Sequence, residues 1–388
     1  EALERAGADV RLFVINSKTG HEKVISLSKI YARYWHRMVR FLDGLPSRAY
    51  PNRSQQIFSN AQLGSTALIR KIKVFNPDIL HLHWINGGAF QLSKLKEFHI
   101  PIVWSHHDMW AFTGGCHYTG ECTKYLRKCG DCPILKSKEK FDLSRKNINR
   151  KLSIYTEIEK LTNIGLSNWM LDELNKSPLM KGRNNLVLPN PIDSAFYKNI
   201  PKNEAKAQLG LELDKRYILF SAMNATTDRR KGFEELYQAL KLMPQHGDVE
   251  LLVMGGNRNR ELEEFHFKVR YLGFINNWEK IKKIYSSVEM LITPSLQENL
   301  SNAVMESLSC GTPVVAFNIG GNSDMITHKK NDYLADLGDP KGLSDGIQWI
   351  LKNSTEQLGK NARNSVIRKF DYNVVTHRYL NLYGSLLQ

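Results

Sequence analysis

Two trains of short, mostly apolar runs, each run followed by a turn and an amphipathic stretch, constrain this chain more than any other feature. The first train is VRLFVI, DILHLHW, IPIVWSHH, NIGLS and NNLVLP; the second, after residue 215, is YILFSAM, VELLVMG, VRYLGFI, EMLITPS and TPVVAFN. Runs of this kind, bounded by helical stretches, belong to strands covered on both faces, which means parallel sheets in an α/β protein. Between the trains, Pro189-Asn190-Pro191-Ile192-Asp193 carries two prolines that resist helix and favour extended chain. The boundary is predicted there, giving a first domain over 1–190 and a second over 191–370. Residues 371–388 place Val374, Val375, Tyr379, Leu382, Tyr383 and Leu386 at helical spacing and predict a terminal helix. Ligands of open α/β sheets bind beyond the carboxyl ends of the strands. Functional residues are therefore sought in the strand-to-helix loops.

The 388 residues, 42% hydrophobic and 24% charged, suit two ordinary globular domains. No apolar run approaches the roughly 18 residues that cross a bilayer, and EALERAGADV has neither a basic start nor an apolar signal core. A cytoplasmic protein is expected, able to sit on the inner face of the membrane. EALERAG reads as the end of a first helix and VRLFVI as a second strand. A first N-terminal strand is accordingly expected to be missing, which would leave unpaired backbone groups in the sheet and a poorly stable or inactive chain.

Charge is unevenly spread. Residues 1–190 hold 29 Lys and Arg against 16 Asp and Glu, an excess of 13 out of the net +15. Such a half is expected to meet an anionic partner: a leaflet, a lipid-linked phosphate or a nucleic acid. Lys29, Arg33, Arg37 and Arg40 fall on one side of a predicted helix, with Tyr34, Met38 and Phe41 nearer another. That pattern fits a surface-seeking amphipathic helix or a solvated basic face over a core stripe. Because no nucleic-acid reading motif accompanies the basic residues, no nucleic acid is expected as partner.

The densest motif is Pro294-Ser295-Leu296-Gln297-Glu298-Asn299-Leu300-Ser301-Asn302-Ala303-Val304-Met305-Glu306, followed by Ser309-Cys310-Gly311-Thr312-Pro313. A strand ends at Pro294 and a helix runs from near Ser301 to Gly311. Unpaired N–H groups at a helix start carry partial positive charge and suit a phosphate. Glu298 stands at the mouth of the turn and Glu306 about two helical turns on, where carboxylates can accept from sugar or ribose hydroxyls. In another strand-to-helix loop, Thr227-Asp228-Arg229-Arg230-Lys231-Gly232-Phe233, basic groups can neutralise a diphosphate.

This segment resembles the Glu-x7-Glu signature of glycosyltransferase family 4, the retaining transferases of GT-B fold, and is similar to colanic acid and exopolysaccharide enzymes. Gly273-Phe274, SCGTPVVAF, Gly320-Gly321-Asn322-Ser323-Asp324, the PNPID linker and Leu166-Ser167-Asn168-Trp169 extend the match over nearly the whole chain. The resemblance implies two facing Rossmann-like domains. It implies that Glu298 contacts the transferred sugar, that Glu306 binds ribose, and that Asn299, Leu300 and Ser301 hold the diphosphate by backbone amides. Lys231 corresponds to a phosphate-binding lysine, and Gly273 and Phe274 to a donor-side loop. An arginine usual in the family is replaced here by Met223-Asn224, for which Arg230 is the candidate substitute. The donor implied is a UDP- or GDP-sugar, and the acceptor a glycan or lipid-linked saccharide in polysaccharide synthesis.

At the end of a first-half strand, Ser105-His106-His107-Asp108 places imidazole beside carboxylate. The resemblance puts His107 beside the donor sugar and Asp108 near the acceptor. His81 and His83 are read as cleft-lining residues rather than metal ligands. In the insertion over 114–135, Cys116, Cys122, Cys129 and Cys132 follow the spacing C-x5-C-x6-C-x2-C, which could hold a structural zinc. Disulfides are the competing reading. Cys310 is expected in the core. No two Asp are separated by one residue, so the Asp-x-Asp metal clamp is absent and no catalytic metal is expected. Two other functions stay open: a GT-B epimerase or phosphorylase, and a zinc-dependent nucleic-acid-binding protein.

Overall fold

The computed structural model describes residues 1–27, 30–221, 228–244, 247–256 and 267–388. The chain divides into two units, one of Glu1–Leu188 with Thr376–Gln388 and one of Pro189–Val375. The boundary thus falls within two residues of the predicted one. The terminal helix, Tyr372–Leu386, is not a separate element: from Thr376 onward it belongs to the first unit, because its Tyr379 and Tyr383 hydroxyls reach Ser105 and His81 there.

In the first unit, β1 (Leu12–Val14) pairs in parallel with β2 (Val24–Ser26). A second parallel sheet runs β3 (Leu80–His83), β4 (Ile102–His106), β5 (Leu161–Gly165) and β6 (Asn184–Val187), in that order. Every residue of β4 and β5 is buried, which is why their sequences show no alternation. The core gathers Leu92, Leu95, Trp104, Trp110, Phe112 and Tyr155; each such side chain contributes about 1.5–3 kcal/mol of burial. Helix starts follow local chemistry: Ser65, Asp142 and Ser167 accept N–H bonds in the first turns of helices Thr66–Phe75, Leu143–Thr156 and Asn168–Lys176.

The second unit holds one parallel sheet built from β7 (Arg216–Ser221), β8 (Val249–Met254), β9 (Lys268–Gly273), β10 (Met290–Thr293), β11 (Val314–Phe317) and β12 (Tyr333–Ala335). Its order is β12-β11-β10-β7-β8-β9. The strands β8, β10 and β11 are buried throughout, and Phe220, Leu251, Ile292, Val315 and Ile347 lie at the centre of the core. Cys310 is fully buried, as expected. Within YILFSAM, the strand is described to Ser221; Ala222 and Met223 lie outside the described residues.

The basic stretch is helix Ile30–Arg48. Tyr34, Trp35, Met38, Phe41, Leu42 and Leu45 are exposed on it, while Val39 and Asp43 face inward. The apolar residues singled out from the sequence are therefore not a core stripe. Lys29 and the Arg33 side chain lie outside the described residues. Among the described residues no helix is long and apolar enough to cross a membrane.

Candidate active site

The loop leaving β10 turns into helix Asn302–Ser309, capped by Ser301, whose hydroxyl accepts from the Val304 N–H. At and around that cap, the N–H groups of Leu300, Ser301, Asn302 and Ala303 meet no acceptor among the described residues. They line a cavity of about 350 Å³, together with Ser221, Met254 and Thr293 at the carboxyl ends of β7, β8 and β10, and with Lys231, Tyr285, Glu298 and Glu306. Its place beyond the strand ends is the one expected of an open parallel sheet.

Two glycines allow the loops to meet. Gly232 has φ +70°, and a Cβ there would lie 1.7 Å from the Pro294 carbonyl oxygen; Gly320 has φ +49°, with a Cβ 1.8 Å from that of Glu298. The loops are then stitched by the Leu296 N–H donating to the Arg230 carbonyl (2.8 Å) and the Gly321 N–H to that of Asn299 (2.5 Å). The Lys231 ammonium comes to 3.1 Å from a Glu298 carboxylate oxygen. Deeper in, the Tyr285 hydroxyl donates to Glu306 (3.1 Å). Burial pushes the Glu306 carboxyl up to about 7, against the opposing hydrogen bonds of Tyr285 and Tyr197.

In the first unit, β3 and β4 carry a histidine cluster at their carboxyl ends. His107 Nε2 lies 3.0 Å from His83 Nδ1, and His81 bridges Ser105 Oγ (2.8 Å) and the Tyr383 hydroxyl (2.6 Å). Burial lowers the pKa of His107, partly offset by Asp108. His106 points the other way, onto Asn163, and burial takes it down to about 4. Asp108 binds His117 Nδ1 (2.6 Å) and the Trp110 N–H (2.9 Å). Burial opposes its ionisation, but these partners hold its pKa below the usual carboxylate value.

A family profile described as Glycosyltransferase Family 4 matches residues 1–196, just over half of the chain. The chain belongs to glycosyltransferase family 4. A second profile, Glycosyl transferases group 1, matches residues 201–365, the stretch that holds the cavity. The 2-deoxystreptamine N-acetyl-D-glucosaminyltransferase of Niallia circulans is 31% identical over 184 residues, 45% of this chain and 46% of that protein. The chain spans about half the length of the curated relatives matched first. Sucrose-phosphate synthase from Thermosynechococcus elongatus has a TM-score of 0.68 at 19% identity, covering 100% of this chain and 91% of that one. Anabaena HepE, solved in complex with UDP, has a TM-score of 0.61 at 17% identity, covering 82% of each. These likenesses establish the α/β, GT-B fold class with two Rossmann-like units.

For this family 4 chain the structure gathers Lys231, Glu298, Leu300, Ser301 and Glu306 around one cavity. Other expected residues lie elsewhere. Arg230 is not on the cavity: Asp228 caps the short turn and takes both its N–H (3.1 Å) and its guanidinium (2.7 Å). Gly273 and Phe274 close the edge strand β9, with Phe274 74% exposed, and do not line the cavity. Asn299 is buried behind it and contributes its carbonyl to Gly321. Met223, Asn224 and Thr227 lie outside the described residues. Cys116, Cys122, Cys129 and Cys132 are free thiols. Among the described residues no three His, Cys, Asp or Glu stand as a ready metal set, so the expected zinc sphere is not preformed, although all four thiols line one small cavity. Sequence reasoning missed Tyr285 and His117. Tyr285 sits in a helix ahead of β10, and no local pattern marks it. His117 directly follows Cys116, a proximity that was the available signal.

Proposed function

We propose that the protein is a retaining glycosyltransferase that moves a sugar from a UDP-sugar to a lipid-linked saccharide during cell-surface polysaccharide synthesis. The observation that carries this reading is the convergence on one cavity beyond the strand ends of Lys231, two carboxylates and four amides that meet no acceptor among the described residues. A pyrophosphate supplies the acceptors that those amides lack, and the positive end of the helix dipole, about half a charge, adds to the lysine. Ionised Glu306 accepts from the ribose hydroxyls, and Glu298 from the transferred sugar. As the bond from the anomeric carbon to the phosphate oxygen breaks, charge grows on that oxygen. Donors already aimed there stabilise it, each worth on the order of 3 kcal/mol. The acceptor hydroxyl attacks the anomeric carbon from the face the phosphate leaves and passes its proton to the leaving oxygen; attack on that same face keeps the anomeric configuration. His107 is the proposed sugar-side residue of the first unit. UDP is favoured because HepE, of the same fold, was solved with it.

The acceptor class rests on helix Ile30–Arg48. An exposed line of Trp35, Met38, Phe41 and Leu45 beside Arg37 and Arg40 suits an anionic leaflet, with the rings at the interface and the guanidinium groups on lipid phosphates. Labelled UDP-, GDP- and ADP-sugars, incubated with the protein and extracted membrane lipids, test the reading. Label from one donor is expected in the lipid fraction with its configuration retained, and Lys231→Ala should sharply reduce transfer without altering circular dichroism. A free epimerised sugar or a sugar phosphate as the sole product would make the protein an epimerase or phosphorylase.

A further inference from the structure

Outside the nucleotide cavity, the insertion 114–135 presents a different chemistry. Cys116, Cys122 and the Cys129–Cys132 pair, from three stretches of its loop, all line one cavity of about 20 Å³, room for a single atom-sized occupant. All four are free thiols. The loop has little core of its own: the apolar cluster there, Phe58, Ile134, Leu135 and Leu143, is completed by Cys116 and Cys132 themselves. Its backbone is nevertheless tightly set. Lys128, Cys129, Gly130 and Asp131 have φ of 66°, 56°, 97° and 48°, four consecutive left-handed residues that ordinary side chains resist. The Gly130 N–H donates to Ser144 Oγ (3.0 Å) and the Cys132 N–H to Asp142 Oδ2 (2.8 Å), which fixes the C-x2-C pair on the cavity wall.

A second observation concerns charge. Lys151 is fully buried, its ammonium donating to the Trp110 and Thr113 carbonyls and lying over the Trp110 ring at 3.8 Å. It forms no ion pair among the described residues, and the groups in electrostatic reach of it include Cys116, Cys129 and Asp108. A buried cation is costly unless nearby negative charge offsets it, and the Asp108 carboxylate, the only ionised acid among those groups, forms no direct ion pair with it. A divalent metal held by four thiolates carries a net charge of minus two and would supply such an offset.

We propose that Cys116, Cys122, Cys129 and Cys132 bind one zinc-class cation as a tetrathiolate, and that this site anchors the segment whose His117 holds Asp108. Binding exchanges four thiol protons for one divalent ion, with no redox change. Soft sulfur ligands in a tetrahedral set select zinc, at about 2.3 Å per bond, so the side chains close inward on the cavity. The segment is tied to the strand-end loop by the His117–Asp108 pair and by the Met109 N–H donating to the His117 carbonyl (2.9 Å), and to Ser59 by His117 Nε2 at 2.9 Å from its Oγ. The site stands apart from the transferase reading, and either can fail alone.

Metal analysis of the reduced chain, purified from zinc-supplemented medium and dialysed, tests it. One zinc per chain is expected, released together with four titratable thiols on adding a mercurial reagent. Cobalt exchange should give a thiolate-to-metal charge-transfer band and the strong visible bands of a tetrahedral site. Cys129→Ser and Cys132→Ser should lose the metal, while Cys310→Ser in the other unit should keep it. A folded wild-type chain that binds neither zinc nor cobalt overturns the proposal even if the serine variants do not fold. Recovery of the four residues as two disulfides in freshly purified protein overturns it as well.

Discussion

Replacing Glu306 by Gln separates what this residue costs the fold from what it gives the ligand. Its carboxyl stands at about 7 rather than 4.5, because burial disfavours the charged form more than Tyr285 and Tyr197 favour it. A carboxyl with a raised folded pKa binds its proton more tightly in the folded chain. Stability is then greatest below pH 4.5 and declines as pH rises through the window up to about 7. At about 1.4 kcal/mol per unit, the ionised side chain costs on the order of 3 kcal/mol at pH 8, and part of that is relieved by solvent at the cavity mouth. Gln has nearly the same shape, accepts the Tyr285 hydroxyl and carries no charge. The variant is therefore expected to be more stable than wild type at pH 8 by roughly 2 kcal/mol and by less than about 1 kcal/mol at pH 5. Urea unfolding at the two pH values measures this directly. UDP affinity should rise with pH through 7 in wild type and stay flat and weaker in the variant. A stability difference independent of pH, or a variant less stable at pH 8, would refute the argument.

Lys231→Ala should lower turnover by about 10²–10³, whereas Arg230→Ala should cost far less, since Asp228 already engages its guanidinium; steady-state kinetics on both variants distinguishes them. Gly320→Ala drives a methyl group to 1.8 Å from the Glu298 carbonyl at a positive φ, so it should destabilise the second unit by about 3 kcal/mol or more in chemical denaturation and abolish UDP binding. Trp35→Glu with Phe41→Glu should reduce co-sedimentation with anionic vesicles at unchanged melting temperature, and raised salt should weaken wild-type binding in parallel.

Much of the fold was readable because its signals are local. Ten runs marked ten strands, most plainly in β10 and β11, which are buried throughout and almost wholly apolar. The strands β2 and β12, three residues each, lay outside those runs. The Ser301 cap and Glu306 helix followed from turn and cap chemistry. What sequence could not supply was competition between side chains. Arg230 looked like a diphosphate ligand, yet Asp228 two residues away holds it through an ordinary cap. Phe274 matched a motif but faces solvent on an edge. The Tyr285–Glu306 contact joins residues 21 positions apart, across a strand and a loop, and no spacing rule foretells it. The helix Ile30–Arg48 was ambiguous because an apolar stripe reads the same whether it meets a core or a membrane; its exposure decides against the core.

The most direct test is a crystal structure of the chain with UDP. Phosphate oxygens are expected within hydrogen-bond distance of the amides of Leu300 to Ala303 and of the Lys231 ammonium, with ribose hydroxyls on Glu306. A diphosphate bound elsewhere, with that helix entrance left to water, would contradict this placement.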